Sequence, residues 1–361
     1  HKARRSAVGI ATARGCNARL CALAESPALL FALRLAFTAA RRDNRRMTQK
    51  PDLLVLSAIY PAQMEALAAR YTLHRFDTAD DPAALLEEVG PRIRGVVTTG
   101  GRGIEAEIVE RLPALELVST LSVGTDSLDL GACRARGVTV TNTPGVLDDD
   151  VADLALGLVI ATRRRMIEAD AWVRSGDWAA NGAFPLTTTL RGKRVGILGL
   201  GAIGQAIATR CAAFGTEIGY HSRREKDVSY PYFDSPRALA EWSDILIAVV
   251  PGGDATHHMV DAEVLAALGP EGTLINVARG SVVDEAALIA ALQAGTIAGA
   301  GLDVFAKEPS AEPRLAGMSN VVLSPHHASG TVETRDAMSR LVLDNVDAWF
   351  SEGRALTPVT G

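Results

Sequence analysis

The stretch that decides the fold is Arg194-Val195-Gly196-Ile197-Leu198, followed directly by Gly199-Leu200-Gly201-Ala202-Ile203-Gly204. The first five residues are typical of a buried strand, and the helix-period segment Ala202–Phe214 overlaps the end of the glycine motif. At such a turn Gly199 permits the tight bend, Gly201 lets the backbone approach a pyrophosphate, and Gly204 lets helix and strand pack closely. Free N–H groups at the positive end of the helix would then hold the phosphates. The stretch predicts a dinucleotide site; the alternative is a glycine-rich turn that binds nothing.

The next apolar run, Glu217–His221, bears on which dinucleotide binds. An acidic residue about 20 positions after the glycines accepts the ribose hydroxyls of NAD, whereas an arginine accommodates the extra phosphate of NADP. Here Ser222, Arg223 and Arg224 follow the run, with no carboxylate among them. A guanidinium and a hydroxyl match a phosphate monoester, so we expect NADPH to be preferred, with NAD possible. The alternative is that Arg223, Arg224 and Lys226 form a solvated basic turn.

Strand-like and helix-like segments alternate on both sides of this region, which predicts α/β architecture with two mainly parallel sheets. Before it, strands are predicted at Asp52–Ile59, Gly95–Thr99, Leu115–Ser122 and Val138–Thr141. After it, they are predicted at Ile245–Val250, Thr273–Ala278, Ala300–Val304 and Val321–Ser324. Helices are predicted at Pro61–Arg70, Asp81–Val89, Ile104–Leu112, Leu128–Arg136 and, as one long helix, Asp148–Met166. The last helix, Val332–Glu352, has no strand of its own to pack on and is expected to return to the first domain.

The composition is that of an ordinary globular protein. The chain has 361 residues, 48% hydrophobic and 22% charged, which excludes a disordered, collagenous or disulfide-stapled protein. Its four cysteines lack paired spacing, so we expect neither a disulfide framework nor a zinc site, and we expect a reducing, cytoplasmic compartment. Asp148, Asp149 and Asp150 are adjacent acids at a helix start, where the helix dipole favours them; we predict no metal site.

The first 46 residues differ from the rest because they carry ten Lys and Arg residues against Glu25 and Asp43. A transit-like presequence, a basic interaction tail, or upstream sequence ahead of a start at Met47 would each look like this. We favour the third interpretation and exclude residues 1–46 from the fold.

The whole chain has a net charge of −5, so the remainder is acidic, which argues against a nucleic-acid surface. The apolar run Ala28–Ala40 is too short for a membrane span and contains Arg34.

From about residue 51 to the end, the chain resembles the D-isomer-specific 2-hydroxyacid dehydrogenases. More narrowly, it is similar to the branch of glyoxylate/hydroxypyruvate reductases and hydroxyphenylpyruvate reductases. The motifs that carry the resemblance occur in order: Ser122-Val123-Gly124-Thr125-Asp126, Asn142-Thr143-Pro144-Gly145, the glycine motif, Asn276-Val277-Ala278-Arg279-Gly280, Gly301-Leu302-Asp303-Val304-Phe305, Glu308-Pro309 and Ser324-Pro325-His326.

The resemblance implies two doubly wound parallel-sheet domains with the active site in the cleft between them. A Rossmann cofactor domain, residues 147–326, would be inserted into a flavodoxin-like substrate domain made of residues 47–146 and 327–361.

Reduction of a 2-keto acid needs a cation for the carboxylate, a proton donor, a group that tunes the donor, and a hydride source. Arg279, Glu308 and His326 supply the first three, and each follows a predicted strand, at the sheet edge where α/β folds bind ligands. The resemblance implies that Arg279 holds the carboxylate, His326 protonates the keto oxygen and Glu308 stabilises the imidazolium. Taken singly, they could be a loop arginine, a turn and a capped histidine. His327 is adjacent, but the family motif has its histidine directly after Pro325.

The resemblance also implies further contacts to substrate and cofactor. Substrate would meet the backbone N–H groups of Val123 and Gly124, with Thr99 and Gly100 nearby. The glycines at 100 and 101 could equally be plain turn residues. Cofactor contacts are expected at Gly199, Gly201, Ala202, Ile203, Gly204, Ser222, Arg223, Arg224, Val250, Pro251, Thr256, Ala278, Asp303 and His326.

Two classes of function remain open. The first is an NADPH-preferring reductase of small 2-keto acids such as glyoxylate and hydroxypyruvate, or else a hydroxyphenylpyruvate or other D-2-hydroxyacid dehydrogenase. The second is a cofactor-sensing, corepressor-like scaffold.

The Asp148–Met166 helix with the Trp172–Trp178 segment resembles the family's dimerisation arm, so we expect a homodimer. Leu121, Trp172, Trp178 and Phe184 could line a substrate pocket or a dimer contact, and core packing is the commoner fate of such residues.

Overall fold

A computed structural model describes residues 50–359 of the chain. The predicted extension, residues 1–46, and the apolar run Ala28–Ala40 lie outside the described residues. Described residues from Asp52 onward belong to one compact unit that contains two parallel sheets. Among residues 50–359, no helix combines the length and the apolar character that a membrane crossing requires.

The first sheet has five strands, all parallel, in the order β2-β1-β3-β4-β5. The strands are β1 (Asp52–Val55), β2 (Thr72–Arg75), β3 (Ile93–Thr99), β4 (Leu117–Leu121) and β5 (Thr139–Thr141). The helices are α1 (Pro61–Arg70), α2 (Pro82–Val89), α3 (Ala106–Glu110) and α4 (Leu130–Ala135). This strand order is the flavodoxin-like one. The sequence missed β2 because it is a polar edge strand that offers no apolar run.

Three helices connect the two sheets, where the sequence predicted one long helix to Met166. They are α5 (Asp148–Arg163), α6 (Met166–Arg174) and α7 (Asp177–Asn181). The long-helix prediction is wrong at its end because Arg165 adopts a left-handed conformation, with φ of 47°, and so closes α5. The Arg165 guanidinium then pairs with Glu168 and lies 5.2 Å from the ring centre of Phe184.

The second sheet has six strands, all parallel, in the order β7-β6-β8-β9-β10-β11. The strands are β6 (Arg194–Leu198), β7 (Glu217–His221), β8 (Ile245–Ala248), β9 (Thr273–Asn276), β10 (Gly299–Leu302) and β11 (Val321–Leu323). The helices are α8 (Ala202–Ala213), α9 (Pro236–Trp242), α10 (Ala262–Leu268), α11 (Glu285–Ala294) and α12 (Pro313–Ala316). In a Rossmann sheet a further strand flanks the second one; here a single parallel bridge between Tyr220 and Tyr232 occupies that edge.

The last helix, α13 (Val332–Glu352), returns to the first sheet as expected. The backbone N–H of Tyr60 donates to the Ser339 hydroxyl at 3.1 Å, and the Tyr71 hydroxyl donates to the Asp347 carboxylate at 2.7 Å. The fold class, two doubly wound parallel sheets, is therefore confirmed. The domain boundaries 47–146 with 327–361, and 147–326, stay a prediction.

A continuous apolar core joins the two sheets. It runs from Leu117 and Leu121 in β4, through Val151 and Ala155 in α5, to Ile197 in β6. Side chains of α5 therefore share one apolar core with strands of both sheets. The carboxyl edges of the two sheets form a cleft.

Candidate active site

The cleft between the carboxyl ends of the two sheets holds a cavity of about 810 Å³. Loops from both sheets and one face of α13 line it. Many of the residues expected from the sequence lie in its wall: Thr99, Gly100, Val123, Gly124, Gly199, Gly201, Ala202, Ile203, Gly204, Val250, Pro251, Ala278, Arg279, Asp303 and His326. The apolar side chains of Leu121 and Met338 lie in the same wall.

The glycine turn between β6 and α8 has the geometry that a dinucleotide requires. Gly199 has a φ of 109°, a conformation that favours glycine, and its N–H donates to the His221 carbonyl at 2.9 Å. A Cβ at Gly204 would clash with the Gly199 carbonyl oxygen, so the helix could not approach the strand. A Cβ at Gly201 would meet no atom within 4 Å, so this backbone is open to a ligand. The residues therefore fit a pyrophosphate at the N-terminus of α8.

The loop after β7 presents two exposed arginines, Arg223 and Arg224. The Ser222 hydroxyl donates to the carbonyl of Arg224 at 2.5 Å. A hydroxyl has one proton, so in this arrangement the guanidinium groups, rather than Ser222, are free to donate to a phosphate.

His326 is held by a carboxylate on one side of its ring. Its Nδ1 lies 2.6 Å from Oε2 of Glu308, whose Oε1 accepts from the backbone N–H of Phe305 at 3.1 Å. Because Nδ1 is engaged, Nε2 is the ring nitrogen that remains for a ligand in the cleft. A carboxylate at Nδ1 orients the imidazole and fixes which ring nitrogen faces the cleft.

The backbone around His326 is organised by Asp303. His326 has a φ of 51°, and its N–H donates to the Asp303 carbonyl at 2.7 Å. The buried Asp303 carboxylate accepts from the Ser324 hydroxyl at 2.5 Å and from the backbone N–H groups of His327 at 2.8 Å and Ala328 at 3.0 Å. These contacts hold an unfavourable turn in place. The nicotinamide contact expected of Asp303 stays a prediction.

Arg279 reaches from the second sheet across the cleft to the first. Its Nε donates to both carboxylate oxygens of Asp126 at 3.1 Å, and its Nη1 donates to the Ala278 carbonyl at 2.8 Å. A Cβ at Gly124 would collide with Nη2, so this nitrogen lies directly against the Gly124 backbone. The structure thus brings the expected carboxylate-binding groups, Arg279 and the Val123-Gly124 segment, to one place.

Three comparisons with known proteins show the family of this chain. The sequence model of the D-isomer specific 2-hydroxyacid dehydrogenase, NAD binding domain, matches residues 156–328. Glyoxylate/hydroxypyruvate reductase A HPR2 of Arabidopsis thaliana is 51% identical over 294 residues, which cover 81% of this chain and 94% of that relative. The chain belongs to the D-isomer-specific 2-hydroxyacid dehydrogenase family.

Two further members of the family are similar over most of the chain. The hydroxyphenylpyruvate reductase of Plectranthus scutellarioides is 49% identical over 296 residues, which cover 82% of this chain and 94% of that relative. The crystal structure of the NADPH-dependent glyoxylate/hydroxypyruvate reductase from Sinorhizobium meliloti, in complex with NADP and malonate, has a TM-score of 0.81 at 46% identity. That match covers 86% of this chain and 97% of that chain.

Four residues named from the sequence, Thr256, Trp172, Trp178 and Phe184, are not in the wall of the cavity. The Thr256 hydroxyl donates to the Pro251 carbonyl at 2.6 Å and so holds the loop that lines the cleft. Trp172 and Phe184 pack edge to face at 5.9 Å in the segment after α5, and Trp178 is exposed there. Among residues 50–359 no group of His, Cys, Asp and Glu has the arrangement of a metal site.

Two cleft residues were not found by sequence reasoning. Asp126 ends the motif Ser122-Val123-Gly124-Thr125-Asp126, but no local pattern indicates a partner 153 positions away. Arg335 on α13 lines the cleft, where burial lowers the pKa of its guanidinium and the charge of Asp303 opposes that shift. A lone arginine on a helix gives no sequence signal of this kind.

Replacing Asp126 by alanine should lower kcat/KM for keto acid reduction about tenfold, because two charge-assisted contacts that orient the Arg279 guanidinium are lost. Steady-state kinetics with thermal melting would measure this. The matched control is Asp129→Ala, which removes the cap of α4 and should lower the melting temperature without changing kcat/KM. An unchanged kcat/KM in Asp126→Ala would contradict the orienting contact.

Proposed function

We propose that this protein is an NADPH-preferring reductase of small 2-keto acids, with glyoxylate and hydroxypyruvate as substrates and D-2-hydroxy acids as products. The observation that carries the proposal is that Arg279, paired with Asp126, and His326, paired with Glu308, line the same cavity as the glycine turn. This reduction requires a cation that holds the substrate carboxylate, a proton donor and a turn that binds the dinucleotide, all in one cleft.

In this mechanism the substrate carboxylate lies on Nη2 of Arg279 and on the backbone N–H groups of Val123 and Gly124. The keto oxygen then lies between the guanidinium and Nε2 of His326. NADPH, bound with its pyrophosphate at the glycine turn, would supply the hydride for the carbonyl carbon. As the carbonyl π bond breaks, its electron pair passes to the oxygen, which takes the proton from Nε2. Glu308 stabilises the imidazolium before transfer and keeps its ring oriented.

The cofactor preference is supported by charge at the end of β7. Arg223 and Arg224 are exposed there, and no carboxylate stands at 222–224 to repel a 2′-phosphate. The similar Sinorhizobium meliloti reductase is described as NADPH-dependent.

The substrate class is supported by the names of the relatives, of which two act on glyoxylate or hydroxypyruvate and one on hydroxyphenylpyruvate. We therefore keep hydroxyphenylpyruvate as the second candidate. Initial rates with NADPH and a panel of glyoxylate, hydroxypyruvate, pyruvate and hydroxyphenylpyruvate test the choice. We expect the highest kcat/KM for the first two, whereas binding of NADPH without turnover of any 2-keto acid would favour a cofactor-sensing scaffold.

A homodimer is supported by the apolar surface after α5. Met166, Ile167, Val173 and Trp178 expose between 51% and 64% of their area on α6 and α7. Apolar groups exposed together in this way are typical of an interface. Light scattering at micromolar protein should give twice the 38.0 kDa of the chain, and Ile167→Glu with Val173→Glu should halve that mass. A monomeric mass for the unmodified protein would contradict the homodimer.

A cytoplasmic location is supported by the two described cysteines. Cys133 and Cys211 are buried and unpaired with each other, and burial raises the pKa of the Cys133 thiol to about 11 and of the Cys211 thiol to about 12. Thiols of this kind fit a reducing compartment.

A further inference from the structure

Tyr220, in β7, has a hydroxyl that the mechanism does not use. Its side chain is fully buried at 0% exposure. The hydroxyl accepts from the backbone N–H of Lys226 at 2.8 Å and donates to the carbonyl of the same residue at 3.2 Å. One phenol thus satisfies both backbone groups of Lys226. Ser222, Arg223 and Arg224 lie between the two residues that this contact ties together.

Other contacts close the same loop. The hydroxyl of Ser222 donates to the Arg224 carbonyl, and the Tyr232 hydroxyl donates to the Ser222 carbonyl at 3.4 Å. The segment after Lys226 then returns to the edge of the sheet, where the backbone N–H of Tyr220 donates to the Pro231 carbonyl at 3.0 Å. The backbone of the loop is therefore tied at both ends, while both arginine side chains stay exposed.

A tied loop has a consequence for binding. A flexible loop loses conformational freedom when its arginines engage a phosphate, and this loss opposes binding. A loop already held in one conformation loses less. Because the tie comes from a buried phenol rather than from the arginines, it operates without touching the ligand.

We propose that Tyr220 is a positioning residue for the 2′-phosphate of NADPH, acting through the backbone of residues 222–226. This inference rests on the proposed NADPH preference, since it concerns how that preference is produced. It assigns to Tyr220 no contact with the cofactor and no part in hydride transfer.

The test is Tyr220→Phe, which keeps the ring and removes the hydroxyl. Equilibrium titration, followed by nicotinamide fluorescence, would give the Kd for NADPH and for NADH, which differ only in the 2′-phosphate. We expect Kd for NADPH to rise about three- to tenfold, the effect of losing contacts of this kind, and Kd for NADH to stay the same. The unchanged NADH affinity also shows that the variant is folded.

Two further variants keep the test decisive. Tyr71→Phe removes the hydroxyl that donates to Asp347 in the first domain and should leave both Kd values unchanged. Tyr232→Phe removes the longer contact, to the Ser222 carbonyl of the same loop. It should also raise the Kd for NADPH, but by a smaller factor than Tyr220→Phe.

The outcomes separate this inference from the function on which it rests. Equal affinity of the unmodified protein for NADPH and NADH would overturn the proposed cofactor preference. If the unmodified protein prefers NADPH and Tyr220→Phe leaves that preference unchanged, only the role of Tyr220 is overturned. An equal rise of the Kd for NADPH and for NADH in Tyr220→Phe would have the same meaning.

Discussion

Replacing His326 by alanine is expected to lower kcat for 2-keto acid reduction by ~10²–10⁴-fold, the usual contribution of a positioned acid. Nε2 of His326 is the ring nitrogen left free by the 2.6 Å contact of Nδ1 with Glu308. Without it, the developing alkoxide has no proton donor at the keto oxygen. Stopped-flow measurement of NADPH oxidation with glyoxylate would give the rate of the reductive step directly.

The control is His327→Ala, because the two residues are neighbours with different surroundings. The His327 ring packs on the backbone of Gly330, where a Cβ would collide with it, and it is not among the residues that line the cleft. We expect its loss to change kcat far less. Equal losses in the two variants would show that the proton donor is wrongly assigned.

Glu308→Gln separates orientation from charge at the same site. The amide retains a hydrogen-bonding group beside Nδ1 but no longer stabilises the imidazolium. We expect kcat to fall by less than in His326→Ala. If kcat fell equally in Glu308→Gln and His326→Ala, the negative charge of Glu308 would matter as much for the rate as the His326 ring.

Cofactor choice should reverse in the double variant Ser222→Asp with Arg223→Ala. In the unmodified protein a 2′-phosphate, with close to two negative charges, would meet Arg223 and Arg224, with no acid at positions 222–224. Charge-assisted hydrogen bonds contribute ~1.5–3 kcal/mol each, so NADPH should be preferred roughly tenfold to several hundredfold. The new carboxylate repels the 2′-phosphate and accepts from the ribose hydroxyls of NADH.

The reversal should appear mainly in the KM for the cofactor. The contact between the loop arginines and the 2′-phosphate is remote from the transferred hydride. It is the same in the ground and transition states, so kcat should change little. Arg237→Ala, an arginine on α9 outside the loop, is the matched control and should preserve the preference. Equal kcat/KM for NADPH and NADH in the unmodified protein would mean that Arg223 and Arg224 form only a solvated turn.

Elements with strong local signals were predicted well. The strands Arg194–Leu198 and Glu217–His221 and the helices Pro61–Arg70 and Val332–Glu352 occur with the predicted bounds. Buried parallel strands are continuous apolar runs, and capping residues mark many helix starts. Thr72–Arg75 was missed because an exposed edge strand needs no apolar run. The end of the long helix at Arg163 was missed because a left-handed arginine, unlike a glycine, carries no sequence signal.

The sequence by itself determined the α/β class, the dinucleotide turn and the order of Arg279, Glu308 and His326, because each depends on local patterns or on motifs in order. Only the tertiary structure decided that Asp126 holds Arg279 and that Asp303 holds the turn of His326. The Asp126–Arg279 pair joins loops of the two sheets, and the Asp303 contacts join the ends of two neighbouring strands of the second sheet. Local periodicity does not specify which loops come together, so these contacts form only when the strands and sheets assemble.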